Sequence, residues 1–223
     1  MPRLLITIVL VLFMGHNSFA QKKQGQALAD SLINQLPKAN EDTNRVKLLN
    51  YISAAYALDD AQKGVQYAQQ ALVLAEKFKW KQGQIKALKL LAMNYATSDF
   101  GKMIECYTKC MPLAESLGDE NEVAASLGSI GMVYARQNNY AIGLEYYFKA
   151  LKKYEKSGDK SGQGRILTLI GTVYQAKGNY ETALEYYVKS LKAYEEIDSK
   201  RSIIAVYTQI GIIHVKQKNM TEP

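Results

Sequence analysis

The chain has 223 residues, 48% hydrophobic and 22% charged, proportions normal for a folded soluble protein. Its formal net charge is +7, but the basic residues are interspersed with Asp and Glu along the whole length, which fits solvated helix faces and excludes a nucleic-acid-binding stripe. Only four prolines, sixteen tyrosines and abundant Ala, Leu, Lys, Glu and Gln predict helices throughout.

The first element stands apart. Residues 1–20 carry one charge (Arg3), an apolar run from Leu4 to Met14, and Ser18-Phe19-Ala20 before Gln21. This reads as a secretory signal peptide cleaved near Ala20/Gln21, leaving an extracytoplasmic (periplasmic or secreted) protein. The run is too short for a comfortable permanent anchor, and no later stretch is apolar enough to cross a membrane. Residues 21–41 follow, with a short leading helix predicted over 24–36 that covers what comes next.

From there the sequence repeats. Gly131-Met-Val-Tyr134, Gly171-Thr-Val-Tyr174 and Gly211-Ile-Ile-His214 stand 40 residues apart. Leu144-Glu-Tyr-Tyr147 and Leu184-Glu-Tyr-Tyr187 keep the same offset, and fainter copies surround Tyr95 and Tyr56. Each copy predicts two amphipathic helices: in one, Leu144, Tyr147, Phe148, Leu151 and Tyr154 share a face at three- and four-residue steps. Gly118-Asp119 and Gly158-Asp159 pair a helix-ending glycine with an N-capping Asp, and Asp119 with Glu122 forms a capping-box variant. Asn138-Asn139 and Gly178-Asn179 mark short turns inside the pairs, so the paired helices are antiparallel.

These residues resemble the tetratricopeptide repeat (TPR). The third copy supplies Leu127, Ile130-Gly131, Tyr134, then Gly143, Tyr147 and Ala150; the fourth supplies Leu167, Ile170-Gly171, Tyr174, then Ala183, Tyr187 and Ser190. The usual unit is about 34 residues; the longer unit here, and the missing consensus Pro near the end of the second helix, imply longer helices. The resemblance implies an all-α, right-handed superhelical solenoid of antiparallel pairs. The units are about 42–79, 80–118, 119–158 and 159–198, then a half unit at 199–217 and a tail at 218–223. Stacking of neighbours is the expected source of stability.

No catalytic set emerges. His214 fills the slot of Tyr134 and Tyr174 and is expected in the core; a lone His builds neither a triad nor a zinc site. Cys110 falls in a small-residue slot and Cys106 in the slot of Tyr67, Tyr146 and Tyr186, which favours a packed residue and a surface or partly buried one over a disulfide. Gly162-Gln-Gly164 lacks the preceding strand of a phosphate loop. The Glu-Tyr-Tyr pairs are read as core, and Trp80 as a packing cap between units. The protein is expected to be non-catalytic, without cofactor or metal.

What remains is a surface. TPR resemblance implies a concave groove lined by first helices, here by Lys47, Asn50 and Ala54, by Lys86, Lys89 and Met93, by Gly128, Met132 and Arg136, and by Arg165, Thr168, Thr172 and Gln175. A mixed polar floor with scattered cations suits an acidic or polar protein or peptide segment. The carboxylate clamp of some TPR domains is not reproduced, since Asn50 and Ala54 replace its first Lys and Asn. The leading expectation is an exported interaction protein. The alternative is a truncated input region of a bacterial signalling protein (histidine kinase, nucleotide cyclase or helix-turn-helix regulator), which 40-residue TPR units after a signal peptide resemble. The tail enters into this: Lys218-Asn219-Met220 is in register with the turns at 138–140 and 178–180, and Pro223 with the small residues Gly143 and Ala183. A first helix over 200–217 without its second predicts truncation, or self-association through its apolar side.

Overall fold

The computed structural model describes residues 25–221, with side chains to Gln217. The expected leader at 1–20, its cleavage site and Pro223 lie outside the described residues. Within them every regular element is helical: α1 (25–33), a 3-10 turn at Leu36–Lys38, α2 (Thr43–Tyr56), α3 (Ala61–Lys77), α4 (Lys81–Asn94), α5 (Phe100–Glu115), α6 (Glu120–Arg136), α7 (Tyr140–Ser157), α8 (Lys160–Ala176), α9 (Tyr180–Glu195) and α10 (Lys200–Thr221). The fold is all-α, built of TPR-like helical pairs. The chain forms two compact units, one ending at Cys106 and the other beginning at Tyr107.

The helix boundaries follow from local chemistry. Asp42, Asp60, Asp99, Asp119 and Asp159 each accept a backbone N–H from the first turn of the following helix, at 2.7–3.2 Å. Six of the helices, α3 and α5 to α9, end on a left-handed residue. Gly118, Gly158 and Gly178 supply it without strain, whereas Lys79, Asn138 and Asp198 adopt positive φ despite their side chains. Six-residue closures such as Asn139 N–H to Tyr134 C=O (2.9 Å) and Asn179 N–H to Tyr174 C=O (3.0 Å) seal the turns. Where the half unit would turn, Lys218 stands in the slot of Asn138 and Gly178, and α10 runs on as helix to Thr221. The predicted stop near Gln217 therefore does not form. Proline is not wholly missing from the second helices either, since Pro112 sits inside α5, in its last turn.

In the first unit α2, α3 and α4 pack consecutively, with α2 also against α4. Val46, Leu49, Ala71, Ala75 and Ala87 form their core, edged by Trp80. Ala29 of α1 closes on Ile52 and Tyr56. A buried polar link knits the three helices: Ser53 Oγ donates to Gly64 C=O (2.8 Å), and Asn94 Nδ2 donates to Ser53 Oγ (3.1 Å) and Leu90 C=O (2.8 Å). In the second unit α6 pairs with α7 and α8 with α9. The first helices α6, α8 and α10 also touch in series.

Candidate functional site

The second unit is positioned by aromatic rings lying on glycines. A Cβ added at Gly131 would stand 2.8 Å from Tyr147 Cδ1, and one at Gly171 would stand 2.7 Å from Tyr187 Cε1. Both tyrosines are among the largest fully buried side chains, and each such burial contributes roughly 2–3 kcal/mol. The other tyrosine of each pair stacks instead: Tyr146 on Tyr134 (ring centroids 5.7 Å) and Tyr186 on Tyr174 (5.5 Å). The Glu-Tyr-Tyr motifs are therefore packing devices. Gly162 and Gly164 have the same explanation, seating the rings of Tyr154 and Tyr194 rather than a phosphate.

Closing these rings onto α6 and α8 leaves a cleft of about 260 Å³ on the first-helix side of the second unit. Met132, Ala135, Leu169, Val173, Ala176 and Tyr147 give it an apolar wall, with Arg136, Tyr140 and Thr172 adding polar groups. Burial pushes the Tyr147 phenol up to about 12, against the opposing pull of the Arg165 guanidinium. Burial likewise raises Tyr187, opposed by its hydrogen bond with Thr172. The Tyr187 hydroxyl donates to Gln175 Oε1 (2.6 Å) and lies 3.3 Å from Thr172 Oγ1.

Of the groove residues expected from sequence, Arg136 and Thr172 converge on this cleft. Gln175 is held by Tyr187, and Thr168 bonds Gly164 C=O (2.9 Å) and Ser190 Oγ (2.7 Å). Arg165 donates to the Tyr154 hydroxyl at 3.0 Å. The cleft wall is thus more apolar than the mixed polar floor expected. Met132, a groove position of the repeat alignment, stands in the wall too, whereas Leu169 and Val173 join it through the angle between neighbouring helices, which repeat alignment does not give.

In the first unit, Lys47 lies over Trp80 (5.9 Å to the ring centroid) and Lys86 over Tyr51 (4.9 Å). Met93 is exposed and Lys89 half-buried. Asn50 is not on a groove surface: it is 1% exposed because α2 packs on both α3 and α4, and neither amide atom is hydrogen-bonded among the described residues.

Two further expectations are revised. His214 is exposed, not core, because Tyr134 and Tyr174 are covered by the second helix of their own pair and α10 carries no such cover among the described residues. Cys106 is as inaccessible as Cys110, at 7% and 0% exposure, and both are thiols. Among the described residues no group of three or more His, Cys, Asp or Glu could hold a metal, and no helix is long and apolar enough to cross a membrane.

The sequence profile described as tetratricopeptide repeat matches residues 122–196 and again 162–222. No curated protein sequence matches. Among solved structures, a Signal Transduction ATPase with Numerous Domains (STAND) protein with a tetratricopeptide repeat sensor, from Pyrococcus horikoshii, aligns with TM-score 0.71 at 18% identity, over 90% of this chain and 33% of that one. A Rap protein complexed with Competence and Sporulation Factor aligns with TM-score 0.70 at 18% identity, over 87% of this chain and 55% of that one. The Rap conjugation gene regulator of plasmid pLS20, in complex with the Phr* peptide, gives 0.67 at 14% identity, over 90% and 55%. The chain therefore spans a third to about half the length of these proteins, and at such identities the likeness is one of fold.

Proposed function

Since the chain is a tetratricopeptide repeat protein, we propose that it is an exported, non-catalytic interaction module whose second unit grips a partner segment through the cleft between α6 and α8. The observation that carries this reading is the cleft itself: an apolar wall of side-chain size with Arg136 and Thr172 beside it. That arrangement suits an apolar side chain on a segment whose neighbouring acidic group meets the Arg136 guanidinium. The Rap regulators solved with bound factor or peptide support a peptide-like partner by analogy of fold. Export rests on the signal-like segment 1–20, and a reporter fused after residue 41 should be active only outside the cytoplasm.

Selection of a random peptide library on the full chain tests the site. The selected peptides should share an apolar residue beside Asp or Glu, and Leu169→Arg should abolish their binding while the protein stays helical. Peptides that bind the Leu169→Arg protein equally would remove the cleft from consideration. A second reading, a signalling input region, is supported by the STAND protein, whose tetratricopeptide repeats are a sensor and which is three times as long as the aligned stretch. It requires an output domain in the same polypeptide, which sequencing of the full-length transcript would reveal or refute.

A further inference from the structure

The two tyrosines seated on glycines differ at their hydroxyls. That of Tyr187 donates to Gln175 Oε1 at 2.6 Å and lies 3.3 Å from Thr172 Oγ1. Forty residues earlier, the places of Gln175 and Thr172 are taken by Ala135 and Met132, neither of which carries a side-chain oxygen. Tyr147 is 1% exposed, and among the described residues no group hydrogen-bonds its hydroxyl. The oxygen is not sealed inside the pair, for Tyr147 lines the α6–α8 cleft together with Ala135 and Met132. At Tyr147 the short Ala135 side chain thus leaves open the room that Gln175 fills at Tyr187.

An O–H held out of water without an acceptor is costly, and whatever brings an acceptor recovers that cost. With its phenol raised to about 12, Tyr147 keeps its proton at neutral pH and can only be the donor to a charged or carbonyl oxygen. The counterpart pair identifies the oxygen. Gln175 reaches Tyr187 with a neutral carboxamide on an aliphatic stem. A carboxylate in the same place would have to shed its water against Met132, Leu169 and Val173, and Arg136 at the polar side of the cleft offers it a better berth.

We infer that the segment bound in the α6–α8 cleft inserts a carboxamide side chain, glutamine or asparagine, whose carbonyl oxygen accepts the Tyr147 O–H as Gln175 accepts that of Tyr187. This rests on the cleft being the binding site, and the neighbouring apolar and acidic residues of the segment keep the roles given above.

Peptides selected from the random library on the full chain are the probe, with affinities measured by fluorescence anisotropy. They should share Gln or Asn next to the apolar residue. Tyr147→Phe removes an oxygen that bonds to no described residue, so the protein should remain folded while binding weakens about tenfold. Replacing the shared amide residue of the peptide by an apolar residue of similar shape, Met for Gln or Leu for Asn, should cost the wild type a similar factor. It should cost the Tyr147→Phe protein nothing further, because one hydrogen bond cannot be lost twice. Peptides without Gln or Asn, or with equal affinity for Tyr147→Phe, that still fail to bind Leu169→Arg would overturn the inference and leave the cleft in place. Peptides that bind Leu169→Arg as well as the wild type, or a library that yields none, would overturn both.

Discussion

The same substitution, Gly→Ala, should have opposite signs at two positions 40 residues apart. At Gly171 the added Cβ would stand 2.7 and 2.8 Å from Tyr187 ring carbons and 3.2 Å from Ala183 C=O, a backbone atom that cannot swing aside. Overpacking of this kind costs about 1–3 kcal/mol, from which the helix-propensity gain of about 1 kcal/mol must be subtracted, leaving a net loss of up to about 2 kcal/mol. At Gly211 nothing lies within 4 Å, so only the propensity gain remains and α10 is stabilised by about 0.5–1 kcal/mol. The propensity gain is common to both, so the two substitutions should differ by the overpacking cost alone, about 1–3 kcal/mol. Urea unfolding gives the global figure, and amide hydrogen exchange resolved by helix assigns it to α8–α9 or α10, which matters because repeat arrays need not unfold in one step. Gly131→Ala, facing Tyr147 and Gly143 C=O, should repeat the Gly171 result. If Gly171→Ala and Gly211→Ala shift stability in the same direction by similar amounts, rings do not lock onto these glycines as described.

Other outcomes follow from single groups. Tyr147 is fully buried with its phenol raised to about 12, so the unfolded chain ionises first. Its contribution is intact below about pH 10 and falls by about 2–3 kcal/mol as pH rises from 10 through 12; Tyr147→Phe should flatten the alkaline limb of the stability curve. Lys79 at φ 51° should gain about 1 kcal/mol on Lys79→Gly, read as a higher urea midpoint. Hydrogen-bonded pairing with Lys153 and Lys160 holds Glu120 and Glu196 below the usual carboxylate range. Their exposed pairs should stabilise above that range, fade as pH falls through the lowered values, and weaken with added salt, measured by acid titration at two ionic strengths. Cys106 and Cys110 should react with a thiol reagent slowly in the native chain and at once in urea.

Much of this architecture could be read from residue types. Aspartates before helices, glycines at helix ends and the paired Gly131/Tyr147 and Gly171/Tyr187 spacing are local or strictly periodic, so one sequence exposes them. What escaped it depends on neighbours. His214 shares its slot with two covered tyrosines, but cover comes from the following helix, and a slot is only as buried as what lies over it. Asn50 reads as a surface residue by its offset, yet α2 is enclosed on two sides. The cleft depends on the crossing of α6 and α8, a three-dimensional quantity that no spacing encodes.

A ring that fits over one glycine and over neither of its neighbours also fixes how far one helix may slide along another. Shifted by one turn, Tyr147 would face Gly128, whose place is already taken by the Ile166 methyl, or Ala135, which presses on Gly143. Axial alignment of each pair is thus written into its interior and not into the tight bend at residues 137–139. The bends are accordingly the places where added residues, a tag or a protease site should be accepted with the helices still meeting in the same alignment.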